Sequence, residues 1–296
     1  MERTNGMLQI LRTYYIASQD DIKDFSWSPL LKTYGSELTR KQLREAENDT
    51  SKVFECLILD KENVSSAYNN IKQSRENARA IQDHISKEVW QSLNNYYHFV
   101  REAEFEHLLK KDDPITAIDM LIRHGLLFTG TIKNTMTRDE GYTFLHIGKF
   151  LERAIITTDI LKMEINKFDN DEQSPEPRGL KYLLYSLLGY EIYMKTYNGN
   201  FSSNKVLELV VHNTFFPHSL IYSLYQVNKY FERLKSESLT ENYQKLEFLI
   251  GKTMNSVKYS NLQANNHKAL TDFLLETRSN LTGIGQSFSK HYFGNT

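Results

Sequence analysis

Carboxylate and guanidinium side chains are the groups in this sequence whose spacing could do chemistry. Glu2-Arg3 stands at the start of the chain and Glu152-Arg153 near its middle, with Arg75-Glu76 and Arg138-Asp139-Glu140 between them. Guanidiniums clamp carboxylates or phosphates through a planar fork of donors, and carboxylates can serve as general acid and base. Gathered together, these nine residues would line a polar pocket for a peptide-like or phosphate-bearing substrate. The structural reading comes first: the two Glu-Arg pairs, 150 residues apart, would lock the two copies of a repeated unit together by buried ion pairs, which set register more than they add stability. For Arg75, Glu76 and Arg79 a solvated surface is the third reading, because their helix has its own expected apolar face at Val64, Ala67, Ile71, Ala78, Ile81 and Ile85.

The helix around Glu152 has to position that pair. At about 100° per residue, Leu145, Glu152, Ile156, Asp159 and Met163 fall within about 60° of one another. Glu152 and Asp159 therefore lie in an apolar stripe. Ile147, Leu151, Ala154 and Leu161 occupy the other faces, and a helix apolar nearly all round is buried in a bundle. A carboxylate there must be paired or protonated, since an isolated buried charge is costly. Arg153 points about 100° away from Glu152, so its partner is expected on another helix. Glu2-Arg3 and the block Arg75, Glu76 and Arg79 are the candidates.

Other motifs carry less. Glu104-Phe105-Glu106-His107 has the spacing of a carboxylate-bridged metal bundle, but such a site needs a second copy, and none is found. No metal or cofactor is expected. Gly251-Lys252-Thr253 resembles the end of a phosphate loop, yet Leu246 stands where its first glycine should be. The single cysteine, Cys56, lies in an apolar run and reads as a small core residue. Tyr96-Tyr97 and the group Tyr182, Tyr185, Tyr190, Tyr193 and Tyr197 read first as partly buried core. The group at 182–197 is also the expected partner-binding face.

The 296 residues carry 36 Lys+Arg and 37 Asp+Glu, a net charge of −1, which gives no electrostatic footprint for nucleic acid or anionic membrane. No apolar stretch of membrane-spanning length and no signal-peptide core is expected, and the reading is cytoplasmic. With 5 Pro and 13 Gly, breakers are few and helices long. The fold class expected is all-α, a multi-helix bundle, with long helices over 64–84, 87–110, 115–134, 138–166, 218–236 and 262–290. Asp113-Pro114 and Phe216-Pro217 mark helix starts. Breaks are expected at 35–49 and at the acidic, proline-bearing linker 168–179.

The chain also repeats itself. Glu2-Arg3 falls on Glu152-Arg153 at an offset of 150, while Val53-Phe54-Glu55 falls on Val206-Leu207-Glu208 and Thr129-Gly130 on Thr282-Gly283 at 153. The expectation is one domain over 1–296 built from two pseudo-repeated helical units, approximately 1–150 and 151–296.

Arg138-Asp139-Glu140-Gly141-Tyr142, followed by Phe144 to Glu152-Arg153-Ala154, resembles the alpha-E family, all-helical bacterial proteins named for their Glu-Arg motif. Ser74-Arg75-Glu76-Asn77-Ala78-Arg79 with Trp90-Gln91-Ser92-Leu93-Asn94 is similar to a second block of that family, and Glu2-Arg3-Thr4 to a first Glu-Arg copy. The resemblance implies a partner role beside an ATP-grasp-like ligase and a transglutaminase-like protein, in peptide or amide-bond chemistry. A stand-alone enzyme, or a small-ligand-binding protein using the Glu/Arg cluster, is the alternative.

In the second copy the helix runs from Tyr142 into Glu152, whereas the first copy begins at Glu2. Upstream DNA is therefore expected to encode about ten to fifteen further residues of lead-in helix in frame, about three to four turns. An immediate in-frame stop codon would overturn that expectation.

Overall fold

The structure is a computed structural model that describes residues 1–20, 25–35, 39–165, 178–235 and 241–294, the side chains of Asp112 and Arg178 aside. Every regular element among them is helical. The chain divides into two compact units, Met1–Gly141 and Tyr142–Thr296.

The first unit holds α1 (Glu2–Gln19), α2 (Ser28–Tyr34), α3 (Arg40–Glu47), α4 (Thr50–Phe54), α5 (Ala67–Ala80), α6 (Lys87–Phe99), α7 (Ala103–His107) and α8 (Pro114–Thr135). Helix α1 packs on α5 and α8, and α6 on α5 and α8. Met7, Leu8, Leu11, Ile71, Leu93 and Leu121 are buried where they meet. Each such aliphatic side chain contributes about 1.5–3 kcal/mol when fully buried. Arg12 on α1 meets Asp119 on α8 with Nε at 2.6 Å from Oδ1. Gly125 lies where the same two helices meet, and a Cβ there would fall 1.9 Å from Asn5 Oδ1, so that the Asn5 side chain would have to shift.

The second unit follows with α9 (Glu140–Met163, whose first two residues belong to the first unit), α10 (Arg178–Ser186), α11 (Tyr190–Tyr197), α12 (Ser203–His212), α13 (Leu220–Phe231), α14 (Glu241–Lys258) and α15 (His267–Tyr292). Helix α14 packs on α13 and α15, and α12 on α13 and α14. Helices α9 and α15 run antiparallel, with Phe144 against Phe288 and Asp159 bound to Arg278. As its sequence requires, α9 is buried on several faces, at Tyr142, Ile147, Phe150, Ala154, Ile156 and Leu161.

Most expected helices appear with shifted ends. Asp113 caps α8 by accepting from Thr116 N–H at 3.1 Å, with Pro114 in the first turn. The expected helix 87–110 is broken after Phe99, which lets Phe99 and Phe105 meet at 5.0 Å while Phe105 is buried. Phe216-Pro217 does not open a helix. Ser219 is the cap, its Oγ accepting from Tyr222 N–H at 3.0 Å. The polar stretch 35–49 is not wholly a break, since Thr39 and Gln42 form a capping box that starts α3. Residues 168–177 of the expected linker lie outside the described residues, and 178–179 begin α10. Gly251 and Lys252 lie inside α14, so no phosphate loop forms there.

One expectation needs correction. Helix α8 is long and apolar enough to cross a membrane by length and composition alone, with a mean hydropathy of 1.2 over its most apolar window and a third of that window buried. It carries Asp119, which is held by Arg12 of α1, as suits a helix packed inside a bundle.

Gly189, between α10 and α11, tests the packing of the second unit. A Cβ on it would fall 2.8 Å from Cζ of the fully buried Phe216. Gly189→Ala is expected to destabilise the protein by about 1–3 kcal/mol through overpacking. Gly130→Ala, inside α8 with open space around it, is expected to stabilise by about 0.5–1 kcal/mol. Urea midpoints of both variants check this pair.

Candidate functional site

In the first unit, Arg75 on α5 is held against α6. Its Nε donates to Asn94 Oδ1 at 2.8 Å, and its guanidinium lies 5.3 Å from the Trp90 ring and 4.8 Å from that of Tyr97. Trp90, Asn94 and Tyr97 recur at helical spacing and so form one face of α6. Arg75 also donates to Glu76 at 2.7 Å, and Glu76 lies 3.9 Å from Arg79. Burial of the Arg75 side chain to 20% exposure corrects the solvated reading for that residue. It tethers two helices, whereas Glu76 and Arg79 are exposed. The two motif blocks, 74–79 and 90–94, are thus in direct contact.

Arg138 serves the end of α8, donating to the carbonyls of Lys133 and Met136. Those carbonyls lack helical partners, which is why a cation is favoured there. Asp139 accepts from Thr137 Oγ1 at 2.6 Å and directly precedes Glu140, the first residue of α9. Carboxylates at that end complement the positive pole of a helix. At the head of the chain, Glu2 is half-buried and Arg3 exposed, both in the first turn of α1. Met1 donates to Ser74 Oγ at 3.3 Å, bringing the start of α1 beside the Arg75 block.

In the second unit, Arg153 donates to the Pro217 carbonyl at 3.3 Å and lies 5.3 Å from the Phe150 ring. It meets the segment that leads into α13, another element, as its direction on α9 requires. Asp159 is paired too: its carboxylate takes Arg278 Nε at 2.7 Å and a second nitrogen at 3.4 Å. Glu152 is half-buried and lines an open groove of about 750 Å3 between α9 and α15. Gly148, Leu151 and Ile155 form one wall, and Leu281, Gly285 and Lys290 stand on the other. The enzyme alternative requires a cleft that reaches both Glu152 and Arg138. The lining of this groove comes from α9 and α15 alone.

Three further features escaped sequence reading. His218 sits beside Arg153 and Lys149. Burial first, then those two cations, push its imidazole down to about 3. His212 on α12 lies 2.9 Å from Ser260 Oγ, a serine–histidine contact. The Ser260 hydroxyl donates to the Val257 carbonyl, so its proton is not offered to the imidazole and the contact ties α12 to the end of α14. The third is Leu188, which has φ 56 and is 53% exposed, next to Gly189. A bulky residue in the left-handed region costs about 1–2 kcal/mol. No sequence signal marks it, since leucine reads as a core residue.

Among the tyrosines, Tyr193 is buried, its hydroxyl donating to Asn200 O and accepting from Ser202 N–H. Tyr96 is buried as well, whereas Tyr185 is 38% exposed. Cys56 is buried and its thiol is pushed up to about 11, by burial and then by Asp60, which removes nucleophilic character. Among the described residues no three His, Cys, Asp or Glu side chains gather as a metal site requires.

The family model of Alpha-E, described as a predicted alpha-helical domain with a conserved ER motif, matches residues 1–293. An uncharacterized protein of Mycobacterium bovis is 25% identical over 184 residues, which is 61% of this chain and 20% of that protein. Uncharacterized proteins from two strains of Mycobacterium tuberculosis match with the same coverage at 25% and 24% identity. The matched part of the chain thus spans about a fifth of the length of these relatives. No solved structure matches.

His218 gives a test of the Arg153 environment. Its folded pKa lies below the unfolded value of 6.5, so the unfolded chain binds the extra proton between about pH 6.5 and 3. The contribution of His218 is present above pH 6.5 and lost as pH falls, by at most about 1.4 kcal/mol per pH unit. His218→Gln is expected to flatten stability over that window, measured by urea unfolding at successive pH values.

Proposed function

Because the chain belongs to the Alpha-E family, we propose that it is a docking protein for an ATP-grasp-like ligase or a transglutaminase-like protein, in peptide or amide-bond chemistry. The observation that carries this reading is Leu188, strained and exposed where glycine would be at ease. Phe215, 88% exposed, emerges from the adjoining segment, because Phe216 packs on Gly189. Tyr185, under Lys181 at 5.9 Å, stands on the same corner. Exposed apolar side chains grouped on one corner suit a protein interface, and strain retained at such a point suits function.

The duplication supports the choice of this corner. Ser66 Oγ donates to Asp60 O at 2.6 Å and accepts from Asn69 N–H, and 153 residues later Ser219 Oγ donates to Asn213 O at 2.6 Å and accepts from Tyr222 N–H. Asp60 Oδ1 accepts from Glu62 N–H as Asn213 Oδ1 does from Phe215 N–H. We read the chain as two copies of one helical unit on this ground. In the first copy Glu62 stands where Phe215 stands in the second, so a turn of the same hydrogen bonding forms there without an apolar knob. The same reading sets the protein in the cytoplasm, in keeping with a single buried cysteine.

The alternative is a small ligand, bound or transformed beside Glu152, and the groove of about 750 Å3 favours it. Titration of the purified protein against the ATP-grasp-like and transglutaminase-like proteins of the same genome separates the two. Leu188→Gly combined with Phe215→Ser is expected to weaken binding at least tenfold, about 1.4 kcal/mol, with no loss of thermal stability. Glu152→Gln is expected to leave binding unchanged. Absence of binding by the wild-type protein, or equal binding by the double variant, would overturn the docking role.

A further inference from the structure

The inner side of the α3–α4 corner, in the first unit, is a groove of about 590 Å3 lined by Arg40, Lys41, Arg44, Glu45, Asn48 and Lys52. We infer that this groove binds an acidic polypeptide segment in extended form. It is a separate site from the Leu188 corner, and the inference stands without that reading.

Four of the six lining residues are cations and one is a carboxylate. Glu45 lies 3.9 Å from Lys41. Arg40, Arg44 and Lys52 form no ion pair among the described residues, and all three are exposed. The carboxylate at the bend, Asp49, is committed to the backbone, accepting from Ser51 and Lys52 N–H as the cap of α4. Within the lining itself the cations therefore outnumber the carboxylate four to one.

The fold does not require this arrangement. Arg40 and Arg44 stand one turn apart on one helix, where like charges oppose helix formation. Helix α3 buries only Ala46 and is held by its capping box of Thr39 and Gln42. Charges kept against local stability, on a helix whose start is fixed by its cap, are suited to a ligand.

The chemistry of the lining selects the ligand. No aromatic ring is present to stack a base, which nucleic-acid strands exploit, and no apolar wall encloses a small molecule as ligand pockets do. Arg40 and Arg44 are about 6 Å apart along the helix axis. Alternate side chains of an extended peptide are about 6.5–7 Å apart. Acidic residues at every second position would meet the two guanidiniums in register, with Lys41 and Lys52 beside them.

The test is fluorescence anisotropy of a labelled Glu/Asp-alternating-with-Ser decapeptide on the full chain, at about 20 and about 200 mM salt, since surface charge attraction is screened over that range. Arg40→Glu with Arg44→Glu is compared with Lys229→Glu with Lys252→Glu, which makes the same change in net charge elsewhere. Circular dichroism melting confirms that each variant is folded. Binding that weakens with salt, falls at least tenfold in the Arg40/Arg44 variant and less than threefold in the control supports the inference. Equal loss in both variants, no binding by the wild-type chain, or preference for inorganic tripolyphosphate over the peptide overturns it.

Discussion

A charged side chain on a packed helix must find its partner on another helix, and much of this protein is arranged around that constraint. Each unit ties its first long helix to its last by an arginine fork on an aspartate. In the first unit Arg12 of α1 reaches Asp119 of α8, and in the second Arg278 of α15 reaches Asp159 of α9. The polarity is reversed between the two, so the tie is kept while the residues that make it differ. Arg75 obeys the same constraint differently: with two aromatic rings and an amide on α6, its charge is held without a dedicated carboxylate across the helix pair. These contacts are partly exposed, so each is worth little alone. Their effect is to fix the register of helices whose apolar faces would tolerate sliding.

Helix ends impose the second demand. The turns before α5 and α13 use a serine hydroxyl both as donor to a carbonyl six residues back and as acceptor for the new helix. Arg138 closes α8 through its last carbonyls. Charged residues that looked like parts of one polar pocket are therefore divided among several duties. Arg75 joins two helices, Arg138 finishes one, and Arg153 holds the approach to α13. Among the described residues, surfaces where side chains exceed such needs include the groove beside Glu152, the cationic α3–α4 corner and the apolar Leu188 corner.

Sequence patterning determined the helical class, the burial of α9, the cap at Asp113 and the pairing of Asp159, because each follows from periodicity or from the cost of an unsatisfied charge within a single helix. It also determined the direction of Arg153 away from Glu152. The interruption at 100–102 and the true start of α13 were decided by tertiary packing, since Phe99 and Phe105 gain burial from a break that local propensity does not demand. The same holds for Arg75, whose polar position on its own helix hides the aromatic face that receives it. Leu188 shows the limit most directly. Its side chain type reads as core, and only the closure of α10 against Gly189 and Phe216 turns it outward in a backbone conformation that leucine resists.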